Sequence, residues 1–259
     1  MSYQSLLWKL SPPKGQHSYL FGTMHIRDDR AYQLCHHLYP LIEECDEYFG
    51  EMDLELPETN PAVTLYDMRR HITSNAYAKM VDQIEKSFQI NINHYAHLHP
   101  LMIMSVISTS VLNADHMVSL DEQLWQYARE HDKPTSGLES YEDQFRILHS
   151  IDPVPLYLQL VKISRNPSVI RSQTSKSLEL YMAGRIHDLY MLSKSSMQDL
   201  RKLVIYQRNK NMSSVITQLD ISKKYFITVG AGHLSGKFGL LPLLKQAGWK
   251  TIPLKLDNP

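Results

Sequence analysis

The sequence predicts an α/β fold with a central, mainly parallel sheet and a large helical insertion. Three observations carry that expectation. Apolar runs of strand length alternate with stretches of helical periodicity at both ends of the chain. The two ends share one plan, Tyr19-Leu20-Phe21-Gly22-Thr23-Met24-His25 and Phe226-Ile227-Thr228-Val229-Gly230-Ala231-Gly232-His233: an apolar strand, a glycine, two residues, a histidine, then a helix. Between them, about 60–131 and 153–218 read as helix. Two β-Gly-x-x-His-α-β halves with insertions between them suit one sheet and one domain over 1–259.

The elements follow in order. Leu6 to Leu10 reads as a strand, Pro12-Pro13-Lys14-Gly15 as a turn, and Ser18 to Phe21 as the second arm of a hairpin. Asp28-Asp29 offers a helix cap, and Leu34, Leu38, Leu41, Ile42 and Cys45 recur at helical spacing. Glu47 to Leu54 is the next strand. Helices are expected near 62–72, 76–88, 92–112 and 119–131, punctuated by Pro61, Asn91, Pro100 and Asn113. Pro134 opens a short strand ending at Gly137-Leu138-Glu139, and Ser140 with Asp143 forms a capping pair for the helix beyond. More helix fills 153–218, broken near Pro167 and Gly184. The chain then repeats its opening: strand 225–229, Gly-x-x-His, helix 238–246, strand 249–254.

Composition excludes several classes. The 259 residues are 43% hydrophobic and 21% charged, an ordinary globular balance. Lys plus Arg equal Asp plus Glu at 27 each, so there is no electrostatic footprint for nucleic acid. No run approaches the ~20 apolar residues of a membrane span, and Met102 to Val111 reads as a buried helix. No basic leader precedes an apolar run. Cys35 and Cys45, placed on one helix, are too far apart to pair and suit reduced packing. These features predict a cytoplasmic protein with no nucleic-acid or membrane partner.

The candidate site lies where open α/β sheets bind ligands, beyond the carboxyl ends of the strands. His25, Glu51, Glu139 and His233 all end or follow strands. Gly22, Gly230 and Gly232 would permit tight turns or close backbone approach there. Two imidazoles and a carboxylate can hold a catalytic divalent metal, and a second carboxylate can serve as general base. Each also has a plainer role: hydrogen-bonded structural histidines, a surface Glu51, or Glu139 favouring the following helix N-terminus. Arg208 falls on the stripe Leu200, Leu203, Val204, Met212, Val215, Ile216 and Leu219, which directs it inward toward a carboxylate or an oxyanion. The alternative is a side chain that reaches back to the surface. His94, His97 and His99 read as a solvated helix end. Gly230-x-Gly232-x-x-x-Gly236 is a poor dinucleotide fingerprint, with too little chain after it. There is no His-Glu-x-x-His, Gly-x-Ser-x-Gly or phosphate-binding loop.

Leu7-Trp8-Lys9, Tyr19-Leu20-x-Gly22-Thr23-Met24-His25, Glu51-Met52-Asp53-Leu54, Gly137-Leu138-Glu139 with Gln144, Arg208-Asn209, and Val229-Gly230-Ala231-Gly232-His233-Leu234 occur in that order. The combination resembles the TraB/GumN family, which includes pheromone-shutdown proteins and is related to the TIKI metalloproteases. The resemblance implies a fold like that of the erythromycin-esterase and ChaN-like group. It also implies a metal-dependent, peptidase-like hydrolase with manganese or cobalt, zinc being left open. His25, Glu51 and His233 would then be ligands, Glu139 the general base and Arg208 the stabiliser of negative charge, with Asn209 and Gln144 in support. The substrate expected is a peptide or small molecule. Two further readings stand beside it: a non-catalytic protein that sequesters a peptide or small ligand, and a metal-free, esterase-like hydrolase with His25 as base. The sequence leaves the oligomeric state open.

Overall fold

The computed structural model describes residues 4–55, 66–197 and 200–256. Six strands, β1 (Leu7–Ser11), β2 (Ser18–Thr23), β3 (Glu47–Met52), β4 (Thr135–Glu139), β5 (Tyr225–Gly230) and β6 (Lys250–Leu254), form one sheet. Their order is β4-β3-β5-β2-β1-β6. β5 pairs in parallel with both β2 and β3, and β3 in parallel with β4. β1 is antiparallel to both β2 and β6, so it alone runs against the rest. The mainly parallel sheet expected from the sequence is the one found. Its hairpin has Leu7 opposite Phe21 and Lys9 opposite Tyr19.

This order determines where a site can form. β5 arrives last in the sheet's parallel half and inserts between β2 and β3. The two Gly-x-x-His turns therefore lie on neighbouring strands, with Thr23 in register with Gly230. β2, β5 and β1 are almost wholly buried, and the residues packed around them form the main core, including Leu20, Phe21, Phe226, Ile227 and Val229. Continuous apolar runs of this kind are what a sheet covered on both faces demands.

Eleven α-helices are described. The first two, α1 (Asp29–Tyr32) and α2 (Cys35–Glu43), complete the crossover from β2 to β3. Asp28 caps α1, as its sequence suggested. α2 ends two residues before Cys45, so the two cysteines do not share a helix. Both are buried free thiols, which burial pushes up to about 11 for Cys35 and about 12 for Cys45.

Beyond β3 lie α3 (Ser74–Phe88), α4 (Pro100–Thr109) and α5 (Leu120–Glu130). The helix expected at 62–72 appears as a single 3-10 turn, Met68–Arg70, and residues 62–65 fall outside those described. The helix expected at 92–112 is interrupted. A short turn at Ile92–Tyr95 precedes α4, because Pro100 has no N–H for a continuing helix and instead opens a new one. After β4 come α6 (Tyr141–His149), α7 (Pro153–Arg165), α8 (Pro167–Met182) and α9 (Ile186–Met197). Ser140 accepts from the Asp143 N–H at the start of α6. A second core, built from Met80, Ile84, Phe88, Ile103, Ile107, Tyr157 and Leu160, ties α3, α4 and α7 together apart from the sheet. The last two helices are α10 (Arg208–Gln218), between α9 and β5, and α11 (Leu240–Gln246), between β5 and β6.

Candidate active site at the strand ends

Arg208 stands at the centre of the site. The backbone reaches it through a π-helical stretch, Lys202–Gln207, that runs directly into α10. A π turn holds more residues than an α turn, so it shifts the facing of the residues around it. The stripe read from sequence fails upstream of Arg208 for this reason: Leu203 is exposed, while Arg201 and Ile205 face inward. Downstream the stripe holds at Met212 and Ile216. The side chain of Arg208 retains 11% exposure, so it does not reach back to the surface.

Both carboxylates predicted for the site meet this guanidinium. Arg208 Nε donates to Glu139 Oε2 at 2.8 Å, and Nη2 donates to the same oxygen at 2.5 Å. Nη2 also donates to Glu51 Oε1. Glu51 Oε2 accepts the Gly230 backbone N–H at 2.8 Å, and Gln144 Nε2 donates to Glu139 Oε2 at 3.3 Å. Glu139 Oε1 is buried without a hydrogen-bond partner. One oxygen of a buried carboxylate is thus left with unmet acceptor capacity, which is costly in a site with no use for it.

His233 completes the cluster. Asn209, fully buried one residue beyond Arg208, donates through Nδ2 to the carbonyls of His233 (3.1 Å) and Phe238 (2.7 Å). Its Oδ1 is therefore the acceptor facing His233 Nδ1 at 2.6 Å, which places the ring proton on Nδ1. His233 Nε2 is left as a lone pair, 3.9 Å from Glu51 Oε2. Burial, aided by Arg208 and opposed by Glu51, pulls His233 down to about 4, so it is neutral at physiological pH.

The two carboxyls are driven apart. Burial alone would raise Glu51, but His233, Arg208 and the Gly230 N–H outweigh it and hold the group at about 2. At neutral pH, with His233 uncharged, Arg208 and the N–H remain to do so. Burial dominates at Glu139, with Glu51's like charge adding to it, and raises that carboxyl despite Arg208. One carboxylate is locked ionised and the other is shifted toward neutral pH. That division suits a charge-holding group beside a proton-transferring one.

The predicted glycines separate into three cases. A Cβ at Gly22 would lie 2.7 Å from Leu234 Cδ1 and 3.1 Å from the Ala231 backbone, a true close approach between the two motif turns. At Gly230 it would sit 3.4 Å from Glu51 Oε2 and 3.6 Å from the His233 ring, in ordinary van der Waals contact with both. At Gly232 it would meet nothing within 4 Å, so close approach does not explain that glycine. Gly22→Ala is expected to lower the melting temperature clearly, and Gly232→Ala to change stability by no more than about 0.5 kcal/mol. Thermal unfolding of the two variants checks this, and equal losses would contradict it.

His25 does not join the cluster. Its Nδ1 lies 2.6 Å from Asp121 Oδ2, at the start of α5, and its side chain is 69% exposed. Among the described residues no three His, Cys, Asp or Glu side chains are arranged to hold a metal ion. The ligand set His25, Glu51 and His233 is therefore not assembled. A divalent cation would find two suitable donors, the Nε2 lone pair of neutral His233 and the ionised Glu51, and would lack the third. Between Glu51 and Glu139 the positive charge is supplied by Arg208.

A cavity of about 840 Å³ reaches this cluster at Arg208, while Glu51, Glu139 and His233 lie behind its lining. Arg208, Gln144 and Met52 form its wall at the strand ends, while Leu101, Phe145 and Leu148 represent its largely apolar lining from α4 and α6. His97, His99 and His149 also line it. His99 corrects the solvated-helix reading: it is buried and caps α4, with Nδ1 accepting the Leu101 N–H at 3.2 Å. Sequence reasoning also missed Asp121. Ser119-x-x-Glu122 marks the start of α5, but nothing local indicates that Asp121 within it reaches His25.

Fold and site together define an α/β protein with a charged, pKa-divided cluster at the carboxyl ends of a parallel sheet, beside an apolar cavity. The chain belongs to the TraB/PrgY/gumN family, whose model matches residues 6–253. It is 22% identical to a protein of Amphimedon queenslandica named "Metalloprotease TIKI homolog", over 98% of this chain and 62% of that protein. The chain thus spans about three-fifths of the length of that relative. No solved structure matches it. Among the described residues no helix is long and apolar enough to cross a membrane.

Proposed function

We propose that this protein is a peptidase-like hydrolase whose substrate lies in the apolar cavity with its scissile carbonyl at Arg208. The observation that carries the proposal is the pairing of a raised, half-unsatisfied Glu139 with an ionised Glu51 across one guanidinium at the cavity wall. Glu139 would take a proton from the attacking water and return it to the leaving group. The described hydrogen bonds of Arg208 use Nε and Nη2, and Nη1 is the donor left to meet negative charge developing on the carbonyl oxygen. Gln144 and Gly230 hold the two carboxylates in place. The name of the Amphimedon relative supports a metal-dependent version. In it, His233 and Glu51 would hold a divalent cation, manganese or cobalt with zinc as the alternative, and His25, which lies exposed against Asp121 and outside the cluster, would have to move toward them to supply a third donor. The cation would contribute Lewis-acid polarisation of the carbonyl.

The test is a peptide-cleavage screen beside elemental mass spectrometry after manganese, cobalt and zinc loading, with the His25→Ala/His233→Ala double variant as control. Stoichiometric metal and cleavage in the wild type, both lost in the variant, are the expected result. Cleavage that persists in chelator would leave a metal-free hydrolase. Peptides bound in the cavity and recovered intact would overturn hydrolysis in favour of sequestration, a reading that the size and apolar lining of the cavity also support.

A further inference from the structure

We propose that the cavity is a side-chain subsite for a large uncharged residue, aromatic by preference, next to the scissile bond, and that Phe145 and Leu148 of α6 select it. The inference deepens the proposed hydrolase and rests on that reading for the bond that is cut.

Helix α6 supplies the first observation. Tyr141, Gln144, Phe145 and Leu148 recur at three- and four-residue spacing, which puts them on one face, while Glu142 and Arg146 are exposed. A helix of this pattern ordinarily covers its apolar face with core. None of the nine residues of α6 is buried, and that face lines the cavity instead. α4 divides its apolar residues between two roles. Ile103 and Ile107 are sealed in the second core, whereas Leu101 and Met102 line the cavity. Apolar surface left open in a concave wall is the mark of a ligand site.

The second observation is charge. Arg208 is the only lining side chain with a permanent charge, and Glu51 and Glu139 engage it from behind the wall. Among the described residues no Asp, Glu or Lys lines the cavity. A substrate lysine would lose its hydration there with no counter-charge, and a carboxylate would compete with two others for one guanidinium.

Third, polar atoms of the lining are already partnered. Tyr66 Oη and His149 Nδ1 lie 2.8 Å apart, His99 Nδ1 accepts the Leu101 N–H, and Gln144 donates to Glu139. What these side chains offer a guest is ring and methylene surface. Tyr141, Phe145 and His149 succeed one another along α6, with neighbouring ring centroids 6.0 and 3.9 Å apart. Such a row presents faces and edges on which an aromatic guest can stack.

The experiment uses the full chain and a peptide set varied at one position beside the cleaved bond: Phe, Leu, Ala, Lys or Asp. Cleavage is followed by mass spectrometry, and binding of the same peptides to Glu139→Gln by calorimetry. Phe should exceed Ala about 100-fold in kcat/KM, and Lys and Asp should be poorer than Ala. Phe145→Ala should lower the Phe-to-Ala ratio about 10-fold while leaving the Ala peptide nearly unchanged. Phe145→Leu should keep the discrimination against Lys and Asp. Leu148→Glu gives the wall a charge and should raise cleavage of the Lys peptide about 10-fold. Neither position is buried, so melting temperatures should stay near that of the wild type. Cleavage indifferent to the varied residue would overturn the subsite, as would a Phe-to-Ala ratio that survives Phe145→Ala. If no peptide is cleaved, the hydrolase reading fails. Binding in the order Phe, Ala, Lys, weakened by Phe145→Ala, would then still place the side chain in the cavity, and binding without that order would remove the subsite as well.

Discussion

Arg208→Met should destabilise the protein by about 3–5 kcal/mol at neutral pH, the usual cost of removing one partner from a buried ion pair. The side chain serves Glu51 and Glu139 together, and among the described residues each carboxylate keeps one other hydrogen-bond donor, Gly230 N–H for Glu51 and Gln144 for Glu139. The sign of the pH dependence comes from Glu51. In the wild type its folded pKa, about 2, lies below the ordinary 4.5, so it contributes stability above 4.5 that is lost as pH falls toward 2. Without Arg208, burial dominates both carboxyls. Their folded values then rise, and the variant gains stability on acidification instead. The stability gap between wild type and variant should therefore be widest near neutrality and shrink through the acid range, as read by urea unfolding at several pH values. A gap independent of pH would show that Arg208 acts by packing alone. The Arg208→Met/Glu139→Gln double variant should recover part of the loss, because it removes one of the stranded charges.

Much of this arrangement is legible in the sequence, for reasons that also show where reading stops. The repeated strand-Gly-x-x-His plan locates β2 and β5 because a short continuous apolar run ending in glycine, in an α/β chain, suits a buried strand better than a helix. Glu51, Glu139 and Arg208 stand out because a charge on an apolar stripe or at a strand end needs a partner, and here each meets its expected one. The order β3-β5-β2 is not readable, since no local pattern says that the last parallel strand inserts between the first two. The π stretch before Arg208 is equally hidden. Hydrophobic periodicity assumes 3.6 residues per turn, and a wider turn moves Ile205 inward and Leu203 outward without changing composition. His25 shows the third limit. Its motif is the twin of His233's, yet one imidazole is buried beside Glu51 and the other lies exposed against Asp121. Equivalent spacing in sequence sets the same backbone plan and leaves the side-chain partner of His25 to a residue 96 positions away.

Glu139→Gln should lower turnover on a cleaved peptide about 10²–10⁴-fold while leaving KM nearly unchanged. The amide keeps the shape of the carboxylate and can still accept from Arg208 through its oxygen, and the cavity walls from α4 and α6 are untouched. What it cannot do is take a proton. The wild-type rate should rise with pH through the elevated Glu139 pKa, since a base works only when ionised, and the Gln variant should lose that limb. Stability moves the other way. A carboxyl with a raised folded pKa contributes stability below its ordinary 4.5 that fades as pH climbs through the folded value, the reverse of Glu51. Replacing it with a neutral amide removes a penalty that applies at neutral and higher pH, though it also gives up attraction to Arg208. Glu139→Gln should therefore unfold close to the wild type at neutral pH and at least as late above it. Lost turnover with retained stability would identify Glu139 as a group kept at an energetic cost for its chemistry. A Gln variant with wild-type turnover would remove Glu139 from the proton-transfer role and leave Arg208 balancing two structural carboxylates.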